Sequence, residues 1–144
     1  MRVAVQRVNH ASVKVDGRVC GEIGKGYLLF VGFTHEDTEQ NAAKAAGKIS
    51  SMRIFSDEND KINLSLSDVG GSILCISQFT LYADCSHGNR PAFVKAMEPS
   101  RAKELYEYFC SLLAKSFKVE KGIFGADMKV SLENDGPFTL MLEY

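Results

Sequence analysis

Between Gly70-Gly71 and a loop beginning at Ala83 runs the segment Ser72-Ile73-Leu74-Cys75-Ile76-Ser77-Gln78-Phe79-Thr80-Leu81-Tyr82. It is short, rich in β-branched and aromatic side chains, and apolar at odd and even positions alike. That pattern predicts a strand covered on both faces, so the segment belongs inside the domain. Ser77, Gln78 and Thr80 interrupt it. Burying an unpaired polar group costs roughly 2–7 kcal/mol, so these side chains must pair with something or act on something. With a strand period of two, Gln78 and Thr80 share one face and Ser77 takes the other. An amide beside a hydroxyl at the end of a rigid strand suits a reacting carbonyl. A buried polar network that fixes strand register is the alternative.

The remaining chain supplies more strands and two helices. Arg2 to Val15 alternates apolar and polar residues, and the alternation breaks at Asn9-His10-Ala11, where a bulge or bend is expected. Asp16-Gly17 between alternating segments predicts a hairpin. Gly24-Lys25-Gly26 turns the chain into a buried strand, Tyr27 to Phe33. Thr38 suits the N-cap of a helix from Glu39 to about Met52, with Ala42, Ala45, Ala46, Ile49 and Met52 on one face. Arg53-Ile54-Phe55 reads as a short strand. The acidic turn after it, Ser56 to Lys61, lacks the fixed glycine and final glutamate of a calcium loop. Pro99 opens a second helix whose apolar stripe is Ala102, Leu105, Tyr106, Phe109, Leu112 and Leu113. Phe117 to Glu120, Met128 to Leu132 and Phe138 to Tyr144 read as further strands. Residues 1–144 thus form one expected α+β domain, a curled antiparallel sheet approaching a barrel with two main helices outside.

A net charge of -1 argues against a general nucleic-acid coat, and DNA is not an expected partner. A short exposed nucleic-acid end needs few phosphates neutralised and remains compatible. The four cysteines form no C-x-x-C pair and no zinc spacing, so neither a metal nor a cofactor is expected. The start of the chain resembles no signal peptide and no run is long enough to span a membrane, so a reduced, cytoplasmic protein is expected. His10, His35 and His87 lie in loop or bend contexts, with no Ser-His-Asp set evident.

A second constellation is Asn134-Asp135-Gly136-Pro137-Phe138-Thr139, read as a turn between the last two strands. Gly-Pro admits a cis peptide and removes a donor, and two fixed carbonyls could receive an ammonium group or obstruct a substituent. Together, Ser77-Gln78-Phe79-Thr80-Leu81 and Asn134 to Thr139 resemble the two signature motifs of the D-aminoacyl-tRNA deacylases, also called D-tyrosyl-tRNA deacylases. Met1 to Val8, Asn63 to Leu66, Gly88-Asn89-Arg90-Pro91 and Phe124 to Met128 are similar to the family in the same order. Ala92 and Phe138 depart from its usual serine and valine.

The resemblance implies hydrolysis of the ester joining a D-amino acid, or glycine, to the terminal adenosine of tRNA. It implies a barrel-like homodimer with sites at the interface. Ser77, Gln78, Phe79 and Thr80 would form the catalytic set, either with Thr80 as nucleophile or with water assisted by the ribose hydroxyl. A cis Gly136-Pro137 turn, held by Arg7 and accompanied by Asn134 and Met128, would enter the partner's site and reject L-residues. Arg90 would contact the tRNA. A tRNA-end binding module without turnover and a small-molecule esterase are the competing readings, and no G-x-S-x-G elbow supports the latter.

Overall fold

The computed structural model describes residues 1–144. The elements are β1 (Arg2–Val15), β2 (Arg18–Ile23), β3 (Gly26–Gly32), α1 (Glu39–Ser51), β4 (Arg53–Ser56), β5 (Ile62–Ser65), β6 (Ser72–Ser77), a 3-10 turn (Phe79–Tyr82), α2 (Pro99–Leu113), β7 (Val119–Lys121) and β8 (Lys129–Glu143). Local chemistry explains several boundaries. Asp16 and Gly17 both take positive φ, 49° and 77°, as a two-residue hairpin turn requires. At the start of α1, the Asn41 Oδ1 accepts the Thr38 backbone N–H at 2.9 Å. Pro99 sits where a missing N–H costs nothing, and the Glu98 carboxylate accepts from the N–H groups of Ser100 and Arg101.

The main sheet runs β2-β1-β3-β6-β7, with β8 also paired to β1. It is mixed, which corrects the expected antiparallel sheet: β3 pairs parallel with β6, and β6 parallel with β7. The physical reason is the connections. Crossovers through α1 and α2 return the chain in the same direction, as parallel pairing demands. β4 and β5 form a separate antiparallel pair.

Two apolar cores lie on opposite faces. The larger collects Val3, Val5, Tyr27, Leu29, Ile73 and Cys75 against α1 and α2. The smaller collects Val8, Ala11, Val13, Ile23, Leu28, Leu74 and Ile76. β6 therefore sends alternate residues into both cores, as its unbroken apolar pattern predicts. Each such fully buried side chain is worth roughly 1.5–3 kcal/mol, which anchors β6 firmly between the two cores. β1 passes from one core to the other where the β1/β8 register shifts around Val8, close to the expected bulge.

Two expected boundaries differ. The central strand ends at Ser77, not Tyr82, because Gln78 leaves the extended region at φ -146°, ψ 83° and its carbonyl accepts the Leu81 N–H at 3.3 Å. Gln78 and Thr80 are thus not strand neighbours on one face. The expected last two strands are one strand, β8, joined along β1 on both sides of the Gly-Pro step. Gln6 pairs with Thr139 and Val8 with Asn134, so residues 135–138 form an excursion opposite the single residue Arg7.

Candidate active site

A cavity of about 260 Å³ lies where β6 gives way to the 3-10 turn. Ser77, Gln78 and Phe79 line it, together with Asp127 and the apolar Phe33, Met97, Phe124 and Met128. The turn is possible because residue 32 is glycine. A Cβ there would stand 2.7 Å from the Gln78 carbonyl oxygen and 3.2 Å from the Leu81 Cβ. β3 consequently lets the backbone of Gln78 come close, and the Gln78 N–H donates to the Val31 carbonyl at 2.7 Å.

Gln78 and Thr80 meet after all, through the curl rather than along a strand: the Gln78 amide Nε2 donates to the Thr80 hydroxyl. A 3-10 turn leaves its first N–H groups without acceptors inside the turn, and here these belong to Phe79 and Thr80. Phe79 and Thr80 are exposed, while the preceding Ile73 to Ile76 are buried. The far end of the turn is fastened by Arg2, whose Nη1 donates to the Leu81 carbonyl at 2.8 Å. Burial, with the negative Asp37 nearby, pushes the Tyr82 phenol up to about 12.

The Gly136-Pro137 excursion lies outside this cavity. None of Arg7, Asn134, Gly136 and Pro137 lines the cavity. The Gly136-Pro137 peptide is cis. Arg7 holds the excursion, donating from Nε to the Asp135 carbonyl at 2.9 Å and from Nη1 to the Ile54 carbonyl at 2.6 Å. Its guanidinium carbon also lies 4.9 Å from the centre of the Phe138 ring. Gly136 and Pro137 themselves are exposed.

The family model described as D-Tyr-tRNA(Tyr) deacylase matches residues 4–143. This chain belongs to the D-aminoacyl-tRNA deacylase family. A relative named D-aminoacyl-tRNA deacylase, from Lactobacillus acidophilus, is 59% identical over 144 residues, 99% of each chain. A solved structure titled c-Myc DNA Unwinding Element Binding Protein superposes with a TM-score of 0.94 at 39% identity, covering 100% of this chain and 99% of that one. Another, titled as a probable eukaryotic D-amino acid tRNA deacylase, reaches a TM-score of 0.84 over 98% of this chain and 97% of that one. At 20% identity the second shows the fold alone.

Within this deacylase-family fold, the structure brings Ser77, Gln78, Phe79 and Met128 to one cavity, with Thr80 bonded to Gln78. Arg90 lies outside the lining, exposed on the loop between the Asp84 and Ala92 bridge residues. Phe124 belongs to the stretch Phe124 to Met128 already noted in the sequence, whereas Phe33, Met97 and Val130 line the cavity with no site signal of their own. Their apolar character alone reads as core. Gly32 was the available signal, since a glycine inside a buried strand marks a close backbone approach.

Proposed function

We propose that this chain hydrolyses D-aminoacyl-tRNA, releasing free D-amino acid and tRNA, and that it also cleaves glycyl-tRNA. One observation carries the reading: in a chain of this family, Ser77, Gln78 and Phe79 line a cavity, Thr80 is bonded to Gln78, and the first N–H groups of the 3-10 turn at Phe79 and Thr80 have no acceptor within the turn. Those N–H groups of Phe79 and Thr80 stabilise the oxyanion that forms when the ester carbonyl is attacked. Water adds to the carbonyl, the ester C–O bond breaks, and the terminal ribose oxygen leaves with a proton. The adjacent ribose hydroxyl activates the water. Thr80 lines the site rather than attacking, because its hydroxyl is engaged by an amide donor and no base stands against it.

The reading places the functional unit as a homodimer in the cytoplasm, with tRNA as partner through its aminoacylated end and Arg90 near its phosphates. Neither DNA nor a membrane enters it. No helix is long and apolar enough to cross a membrane. Gly136 and Pro137 of one subunit reach the partner's Phe79 and Thr80, receive the ammonium group and bar an L-side chain. Support comes from their exposure, their absence from the cavity of their own chain, and the exposed Met141 on the strand that carries them. Glycine offers no side chain to bar.

The decisive assay compares hydrolysis of matched D- and L-tyrosyl-tRNA, with and without a chelator. Selective loss of the D-ester in both conditions is expected. Equal cleavage of the L-ester defeats the stereochemical reading, and activity that returns only with added metal defeats the metal-free one. A D-tyrosyl-tRNA lacking the terminal 2′-hydroxyl should be a very poor substrate, whereas an acyl group trapped on Thr80 would establish the covalent route.

A further inference from the structure

The excursion carrying Gly136 and Pro137 is gripped on two faces by consecutive residues of β1. Arg7 grips one through the Asp135 carbonyl. On the other, Asn134 closes the root of the excursion upon itself: its Oδ1 accepts the Phe138 N–H at 2.6 Å. That bond fixes the amide, because a reversed Asn134 would set an NH2 group against an N–H donor. The Nδ2 is thereby aimed at the Gln6 Oε1, 2.9 Å away. It also reaches the Thr139 Oγ1 at 3.1 Å and the Phe138 carbonyl at 3.3 Å.

These contacts are not equivalent. Phe138 belongs to the excursion and travels with it when it shifts, and Thr139 is the first residue of β8 after it to pair with β1 again. Gln6 belongs to β1, whose neighbours Val5 and Arg7 are buried in the fold. It is also the direct register partner of Thr139. The backbone of Asn134 lies opposite Val8 of β1, and the Gln6 oxygen is the β1 side-chain acceptor that orients the Asn134 amide. Successive strand residues point to opposite faces, so Gln6 and Arg7 prevent rocking in both directions.

We propose that Gln6 is a positioning residue for stereochemical discrimination, holding Asn134 so that the Gly136-Pro137 carbonyls keep the placement that bars L-esters. This rests on the reading above that the excursion performs that rejection. Only an acceptor at the Oε1 position is required, so Gln6→Glu should preserve the function and Gln6→Leu, similar in bulk, should not.

The test measures D- and L-tyrosyl-tRNA hydrolysis by the wild type and both variants, and the hydrogen exchange of the Phe138 amide in each. In Gln6→Leu the D-over-L preference should fall about tenfold, chiefly by faster L-ester cleavage, and Phe138 exchange should quicken by a similar factor, the weight of one hydrogen bond. Gln6→Glu should restore both. An unchanged preference in a Gln6→Leu protein that melts like the wild type overturns the proposal, even if Phe138 exchanges faster. A Gln6→Glu protein as defective as Gln6→Leu also overturns it. A wild type that never distinguishes D from L instead overturns the reading beneath it, and the proposal with it.

Discussion

Residues 78–82 leave the sheet after β6 by curling into a 3-10 turn, whereas residues 135–138 leave the line of β8 and return to it. The first departure is held by backbone. The Gln78 N–H and carbonyl pair within the fold, Gly32 gives them room, and the long-range side-chain hydrogen bond to the turn is Arg2 on Leu81. The second is held by side chains: Arg7, Asn134 and Gln6 make its principal contacts. On the function proposed above, the difference follows from what each would present. A segment offering N–H donors to a substrate has to leave those donors unspent, so its support must come from behind. A segment offering a fixed shape can have its polar groups engaged, and gains rigidity by it.

The comparison breaks most sharply at Gly32. In Gly32→Ala the new methyl would meet the Gln78 backbone oxygen at 2.7 Å, and a backbone atom has no rotamer by which to retreat. The 3-10 turn must shift, carrying the Phe79 and Thr80 N–H groups with it. Misplacing such donors costs about a thousandfold in kcat. D-tyrosyl-tRNA hydrolysis by a Gly32→Ala protein that remains folded would check this, and near-normal turnover would show that the turn is not placed from behind by β3.

Arg7→Met strikes the other region through a side chain. It removes donors from the Asp135 and Ile54 carbonyls, and the Arg7–Ile54 bond is buried. Charge-assisted bonds contribute about 1.5–3 kcal/mol each and an orphaned buried carbonyl adds to the loss, so unfolding free energy should drop by about 3 kcal/mol in urea titrations. The methionine retains apolar contact with Phe138, which separates lost bonding from lost packing. A loss below about 0.5 kcal/mol, the value of an ordinary exposed substitution, would mean the excursion stands without its side-chain tethers.

What the sequence disclosed divides along a similar line. The both-face burial of β6, the Asp16-Gly17 hairpin and the start of each helix were legible because periodicity, turn chemistry and capping act over a few residues. The end of β6 was not. Its cause is Gly32, forty-odd residues earlier on a neighbouring strand, and nothing near Gln78 announces it. The continuity of β8 was hidden for the same reason: the pairing that joins its halves is with β1, at the opposite end of the chain. The parallel pairing of β7 with β6 also depends on a crossover rather than on local pattern. Two stretches at the cavity, Ser77 to Leu81 and Phe124 to Met128, were legible as motifs, yet Phe33 and Met97 converge on them only in three dimensions.

The smallest effect concerns Tyr82, where the first region meets the sheet again. Its ring is buried and the Arg2 guanidinium carbon lies 4.8 Å from the ring centre, so one side chain both ties down the Leu81 carbonyl and covers Tyr82. Burial and then Asp37 push the phenol up to about 12, and Arg2 opposes them. An unfolded tyrosine ionises near 10, so below about pH 10 both states keep the proton and stability is insensitive to this group. Between about pH 10 and 12 the unfolded chain loses the proton first, and stability falls as pH rises. Tyr27, also pushed up to about 12 by burial, and Tyr106, pushed up further by burial, contribute in the same window, so the total fall is shared among the three. Tyr82→Phe isolates the difference. Urea unfolding at about pH 9 and about pH 11 should show a smaller alkaline loss in the variant, by roughly 1 kcal/mol. Equal losses in the two proteins would mean that solvent reaches the Tyr82 hydroxyl freely, and that the far end of the turn is more open than its contacts with Arg2 imply.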